Sequence, residues 1–134
     1  MTSFPLKIVT PDGLLFQGEA EQLFVRTIHG DVGIMARHIN YVAPLGMGRA
    51  VVVTGGERRT AACIGGMVSV INGEVTLVPT TFEWAENIDL ARAEASESRA
   101  RKRLDEQNIS EADLRLAEAR LHRALVRKSV ASNK

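Results

Sequence analysis

Residues 69–93 read SVINGEVTLVPTTFEWAENIDLARA, and two kinds of chain meet inside this stretch. Asn72-Gly73 lies between the runs SVI and EVTLV, and Asn-Gly supplies the two positive-φ residues of a type I′ turn, so the first half predicts a β-hairpin. The stretch also contains the last glycine, Gly73, and the last proline, Pro79; all eleven Gly and all four Pro precede residue 80. Turn residues punctuate short strands, while their absence over the rest of the chain permits long helices. The fold class is therefore α+β in two parts. An N-terminal antiparallel β-sandwich occupies residues 1–86, and a C-terminal antiparallel α-helical hairpin occupies residues 87–134.

Upstream of the junction the strand signals continue. Phe4, Leu6 and Ile8 alternate with Ser3, Pro5 and Lys7, which predicts a half-buried strand ending at the turn Thr10-Pro11-Asp12-Gly13. Leu14 to Phe16 and Gln22 to Ile28 continue as strands, His29-Gly30-Asp31 reverses the chain, and Gly48 to Thr60 forms a hairpin around Gly55-Gly56. Short strands at this spacing suggest a sandwich or barrel. A parallel sheet is not expected, because no helix-length segment separates the strands.

Downstream, helix one is expected from about Ile88 to Leu104 and helix two from about Ser110 to Lys128. Ser110 with Asp113 resembles a capping box, with Asp in place of Glu or Gln. Asp105 to Asn108 is a short polar loop, which favours antiparallel neighbours. Leu114, Ala117, Leu121 and Leu125 make a narrow apolar stripe at heptad-like spacing. Helix one offers mostly small residues: Ala91, Ala93, Ala95, Ala100 and Leu104. Alanine buries little area, so the hairpin should be loosely held and able to change conformation.

Bulk composition narrows the function. Residues 1–87 carry six Lys/Arg against eight Asp/Glu, and residues 88–134 carry eleven against eight. That balance is unlike a nucleic-acid domain with a strongly basic face. The single cysteine, Cys63, excludes an internal disulfide and sits in an apolar run, which predicts a buried, inert thiol. The opening MTSFPLKIVTPDG lacks the basic and apolar regions of a signal peptide, and no apolar run reaches the length of a membrane span. Direct membrane insertion is not expected. There is no P-loop, no nucleophile elbow around Ser69, and no metal-ligand spacing among His29, His38, His122 and Cys63. No catalytic residue and no metal are expected.

One constellation remains. At 100° per residue Asp89, Arg92, Ser96, Arg99 and Arg103 share one face of helix one, and Arg120, Arg123 and Arg127 share a face of helix two. In an antiparallel hairpin Arg123 and Arg127 approach the start of helix one. Several guanidiniums then converge with one carboxylate and the positive end of a helix, which suits an anionic ligand such as a nucleotide. A solvated charged face with ordinary i, i+3 and i, i+4 pairs fits the same spacing.

The chain resembles the epsilon subunit of bacterial F-type ATP synthase over essentially its whole length. The opening LKIVTPDGLLFQGEAEQLFVRTIHGDVGIMARH is similar to that family's first strands, with Gly30, Gly33 and His38 in its G-x-x-G-x-x-x-x-H pattern. The segment IGGMVSVINGEVTLVPTTFEWAENID is similar to its GGF-x-x-V…N-x-V-T-V-L…A-E…I-D region. Ala36, Asn40 and Met67 depart from residues frequent there. The resemblance implies a non-catalytic subunit on the cytoplasmic face of the bacterial membrane. Its sandwich clasps the gamma subunit and touches the membrane rotor ring, with Gly30, Gly33 and His38 in the contact surface. Its hairpin can extend into the catalytic alpha/beta head and block hydrolysis. In some members I/L-D-x-x-R-A binds ATP as a regulatory ligand and holds the hairpin compact. That motif stands here as Ile88, Asp89, Arg92 and Ala93, and Glu83, Arg99, Arg123 and Arg127 match in kind and placement. The residues alone also fit a free-standing sandwich and coiled-coil module that bridges other proteins.

Overall fold

The computed structural model describes residues 2–132. They divide into two compact units at Trp84/Ala85. In the first unit the strands are β1 (Phe4–Thr10), β2 (Gly13–Ala20), β3 (Gln22–Thr27), β4 (Gly30–Met35), β5 (Tyr41–Pro44), β6 (Met47–Thr54), β7 (Glu57–Ile71) and β8 (Glu74–Trp84). Their order is β2-β1-β8-β7-β6-β3-β4, with β5 also on β7. The period-2 pattern of the sequence becomes burial directly. Phe4, Leu6 and Ile8 point inward on β1 and join Leu23, Val25, Ile34, Val52, Val68, Val70 and Leu77 in the sandwich core. Asn72 and Gly73 have φ of 50° and 83°, as the two-residue hairpin between β7 and β8 requires.

All pairings but one are antiparallel. The exception is β1 on β8, where Leu6, Lys7 and Ile8 lie parallel to Val75, Thr76 and Leu77. A parallel sheet was not expected for want of a crossover helix, and the sheet is antiparallel apart from this one pair, which six intervening strands connect. On the far side, Glu21 N donates to Val53 O and Thr54 Oγ1 donates to Glu19 O, both at 2.8 Å, which ties the β2 end to β6.

Strand β7 serves two neighbours in turn. It pairs with β6 through Ile64 and with β5 from Met67 onward, while β8 runs beside it from Ala61 to Ile71. The change falls at Gly65-Gly66, with φ of 69° and 99°. A Cβ on Gly66 would fall on the Val78 carbonyl oxygen, so only glycine passes this corner. Beside it Cys63 is buried, and burial pushes its thiol pKa up to about 12, which leaves no thiolate near neutral pH.

In the second unit a short 3-10 turn, Ala85–Asn87, leads to α1 (Leu90–Leu104), and α2 runs from Glu111 to Ser132. Helix α1 starts two residues later than expected because Asp89 is its cap. Its Oδ1 accepts from Arg92 N at 3.0 Å. Ser110 caps α2 by accepting from Asp113 N at 3.1 Å. Helix α2 runs past Lys128 because nothing in KSVAS stops it.

The buried residues of the two helices are mostly alanines at sevens: Ala93 and Ala100 on α1, and Ala117, Ala124 and Ala131 on α2. This corrects the expected stripe. Leu125 is exposed and Leu114 and Leu121 are half-buried, because the seven-residue repeat from Ala117 lands on Ala124. Ala91 and Ala95 are exposed as well. Small residues let the helix axes approach, at the cost of little apolar area buried per contact.

Candidate functional site

Two ion pairs set the register of the hairpin. Lys128 Nζ donates to Glu97 Oε1 at 3.1 Å, and Arg103 Nη2 donates to Asp113 Oδ2 at 2.8 Å. Partners on α2 run backward as α1 runs forward, so the helices are antiparallel. Arg127, next to Lys128, is therefore level with the middle of α1 and not with its start, where the sequence reading placed it. The difference comes from α2 extending to Ser132, which brings later residues to the level of Asp89.

Above the alanine seam lies a groove of roughly 410 Å³. Ala100 and Ala117 form part of its lining, Ser96, Arg99 and Arg103 flank it from α1, and Arg120, Arg123 and Arg127 flank it from α2. The cause is local. Small side chains at the seam bring the axes together, and long guanidinium side chains one position before or three positions after a seam alanine flank it.

The charges in this groove are uneven. Arg103 is neutralised by Asp113 and by Glu106. Arg99 Nη2 donates only to the neutral Ser96 Oγ, at 3.0 Å. Arg120 and Arg123 make no ion pair or hydrogen bond among the described residues. Among the described residues no carboxylate lines the groove. Glu97, which lies outside that lining, spends its charge on Lys128 and then on Arg101, and these hydrogen bonds hold its carboxyl below the ordinary glutamate range. Among the described residues Arg99, Arg120 and Arg123 therefore leave positive charge in the groove without a partner of opposite sign, which is the arrangement that takes an anion.

Of the residues singled out in the sequence, Arg99, Arg123 and Arg127 come together here. Asp89 and Arg92 do not line the groove; Asp89 is seven residues before Ser96, about 10 Å along the helix. Ile88 and Ala93 are buried, so their side chains contribute packing. Glu83 is half-buried on β8 opposite Ala62, in the sandwich unit. Arg103 and Arg120 were visible on the two basic faces but absent from the shorter set of expected ligands, and they line the groove.

The sandwich residues expected at a subunit contact have separate structural reasons. Gly30 has φ of 121° and ends the β3–β4 turn, whose Thr27 Oγ1 donates to Gly30 O at 2.9 Å. Gly33 faces Phe24, and a Cβ there would come within 2.9 Å of the ring. His38 packs edge-on to Tyr41 at 5.8 Å, and its Nδ1 lies 2.8 Å from Ile39 O. Close by in sequence, Ile39 is 77% exposed. On the outer sheet face Pro44, Met67 and Val78 are cross-strand neighbours, all exposed, and sequence alternation alone did not bring them together.

Two family models cover the chain. The ATP synthase delta/epsilon chain beta-sandwich domain matches residues 3–85, and the delta/epsilon long alpha-helix domain matches residues 86–132. The chain belongs to the ATP synthase epsilon-chain family. Relatives include the ATP synthase epsilon chain of Ruminococcus albus, 40% identical over the full length of both chains. That of Bacillus velezensis is 39% identical over 99% of this chain and 100% of its own. A chain of the Euglena gracilis mitochondrial ATP synthase shares the fold, with a TM-score of 0.84 and 23% identity, covering 100% of this chain and 83% of that one. Members of the epsilon-chain family are non-catalytic subunits of the rotary stalk of ATP synthase, and this chain is such a subunit. The described residues contain no group of three or more potential ligands able to hold a metal ion, and no helix long and apolar enough to cross a membrane.

Proposed function

We propose that this chain is the regulatory subunit of a proton-driven ATP synthase and that its hairpin senses ATP. The sandwich clasps the gamma subunit and touches the membrane rotor ring at the cytoplasmic face of the membrane. The hairpin inhibits hydrolysis when it extends toward the catalytic alpha/beta head, and ATP holds it compact. The observation that carries this reading is the groove: Arg99, Arg123 and Arg127 converge in it, and Arg99 and Arg123 make no ion pair among the described residues. A ligand that binds only the compact state favours it by RT ln(1 + [L]/Kd), about 2.7 kcal/mol at a hundred times Kd. A seam of alanines is weak enough for a term of that size to decide the conformation.

For the sandwich, Pro44, Met67 and Val78 offer an apolar row to the shaft, while Gly30, Gly33 and His38 lie in the β3–β5 region that faces the ring. Support for these partners comes from the family and from the assembly in which the Euglena relative sits, an F1/c-ring complex. The test is a reconstituted synthase carrying the chain with residues 88–134 removed. Synthesis is retained and basal hydrolysis rises. Unchanged hydrolysis in an intact complex overturns the inhibitory role.

A further inference from the structure

We infer that Asn72 is a chemical modification site of the folded chain: its side-chain amide is lost to ring closure by the Gly73 nitrogen, and the isoaspartyl product frees the segment before β5 from the β7–β8 hairpin. The reaction needs an unhindered backbone nitrogen directly after an asparagine. Of the asparagines in the described residues, Asn72 alone precedes a glycine. Asn40 precedes Tyr41, and Asn87 and Asn108 precede isoleucines, whose β-branch crowds the nitrogen. A Cβ at Gly73 would meet nothing within 4 Å, so the approach to its nitrogen is open. The Gly73 N–H lies outside the ladder, which closes on the pair Ile71 and Glu74, and it donates no hydrogen bond among the described residues. Asn72 is exposed and its side chain makes none either, so neither reacting group has to leave a partner. After Asn87, by contrast, the nitrogen is engaged: Ile88 N donates to Ala85 O at 3.3 Å.

The step balances with water as the only co-reactant. Gly73 N bonds to Asn72 Cγ and gives up its proton, the side-chain nitrogen leaves as ammonia, and a cyclic imide remains. Water then opens the ring. Opening at Cγ gives aspartate. Opening at the Asn72 main-chain carbonyl gives isoaspartate, whose backbone runs through Cβ and Cγ and is longer by one carbon. The place of the turn gives that lengthening a consequence. Asn72 N donates to Asn40 Oδ1 at 2.8 Å, a contact between residues 32 apart that ties the segment before β5 to the hairpin. A two-residue turn fixes the register of its strands, and Asn72 and Gly73 hold the positive φ that it needs. An extra backbone carbon spoils this geometry and draws the Asn72 N–H away from Asn40. His38 and Ile39, which precede Asn40, belong to the segment released.

The experiment ages the full chain in mildly alkaline buffer, folded and, separately, unfolded in urea, and maps both by peptide mass spectrometry; circular dichroism checks that the first sample stays folded. The folded chain is expected to gain the mass of an amide-to-acid exchange at Asn72 and to show none at Asn40, Asn87 or Asn108. Hydrogen exchange over residues 36–40 and 70–75 is then expected to speed up in the aged chain. Fresh Asn72→Asp, which carries the charge without the extra carbon, is expected to exchange like the unaged chain. Conversion in urea but not in the folded chain means that the turn forbids ring closure, and overturns the site. Conversion spread over all of these asparagines means plain amide hydrolysis and overturns it as well. Unchanged exchange over residues 36–40 after conversion, or an equal increase in fresh Asn72→Asp, overturns release by chain lengthening.

Discussion

Arg123→Ala isolates the groove from the rest of the hairpin. Arg123 lines the groove, is half-buried, and makes no ion pair or hydrogen bond among the described residues. Its removal therefore costs the free protein little. A charge-assisted hydrogen bond to phosphate contributes about 1.5–3 kcal/mol, which corresponds to a ten-fold to more than hundred-fold loss of ATP affinity. The conformational consequence follows by linkage. At an ATP concentration that is a hundred times the original Kd, a ten-fold weaker site lowers the stabilisation of the compact hairpin from about 2.7 to about 1.4 kcal/mol. Calorimetry with ATP measures the first number, and the ATP-dependent shift in the melting temperature of the helical signal measures the second. Equal ATP affinity in Arg123→Ala and the unmutated chain refutes the groove as the nucleotide site. A large drop in stability without ligand refutes the claim that Arg123 has no structural duty.

Three further outcomes follow from single contacts. Asp89→Ala removes the α1 cap and should cost about 1 kcal/mol of hairpin stability in thermal unfolding, while Asp89→Asn should recover most of it. Gly66→Ala places a methyl group on the Val78 carbonyl at φ of 99°, so the sandwich should lose at least about 1–3 kcal/mol in urea unfolding, with Gly73→Ala, which meets open space, losing less. Cys63, with its pKa pushed up to about 12, should resist alkylation in the native protein up to about pH 9 and react once urea exposes it; fast native modification would contradict its burial.

The acid response of the hairpin has a definite sign. Glu97 accepts from Lys128 and Arg101, so its folded-state pKa lies below that of the unfolded chain. Its contribution is present above the unfolded glutamate value and is lost as pH falls through the lowered folded value. Glu97→Gln should therefore flatten the acid limb of the helical stability curve and leave the neutral and basic region nearly parallel to the original. Both partners are on the surface, so the effect is small and salt-sensitive.

Much of the fold was legible because it rests on local chemistry. Asn72-Gly73 announces its turn, the alternation of Phe4, Leu6 and Ile8 announces its face, and the loss of Gly and Pro after Pro79 announces the helices. The parallel pair β1–β8 was not legible, because it depends on where six intervening strands carry the chain. The alanine seam was half-hidden: Leu125 is the larger side chain, but Ala124 holds the repeat. At the site, the arginine faces could be read from helical spacing. Their register could not, since it is set by Lys128 on Glu97 and Arg103 on Asp113, pairs 31 and 10 residues apart that no local rule selects.

That register also explains how one feature can serve both stability and switching. In the described hairpin the seam is built from alanines, and ion pairs at surface positions add little each. On the groove side the arginines repel one another, since Arg120 and Arg123 lack carboxylate partners. Apposing the helices therefore carries an electrostatic cost that an anion removes. An anion bound there both adds its own contacts and cancels that repulsion, and both effects belong only to the compact state. Ala124→Leu tests the balance from the other direction. Overpacking the close helix contact should cost about 1–3 kcal/mol and raise the ATP concentration needed to keep the helices apposed. If that variant stays as compact without ATP as with it, the seam does not set the balance, and the coupling of ligand to conformation must lie elsewhere.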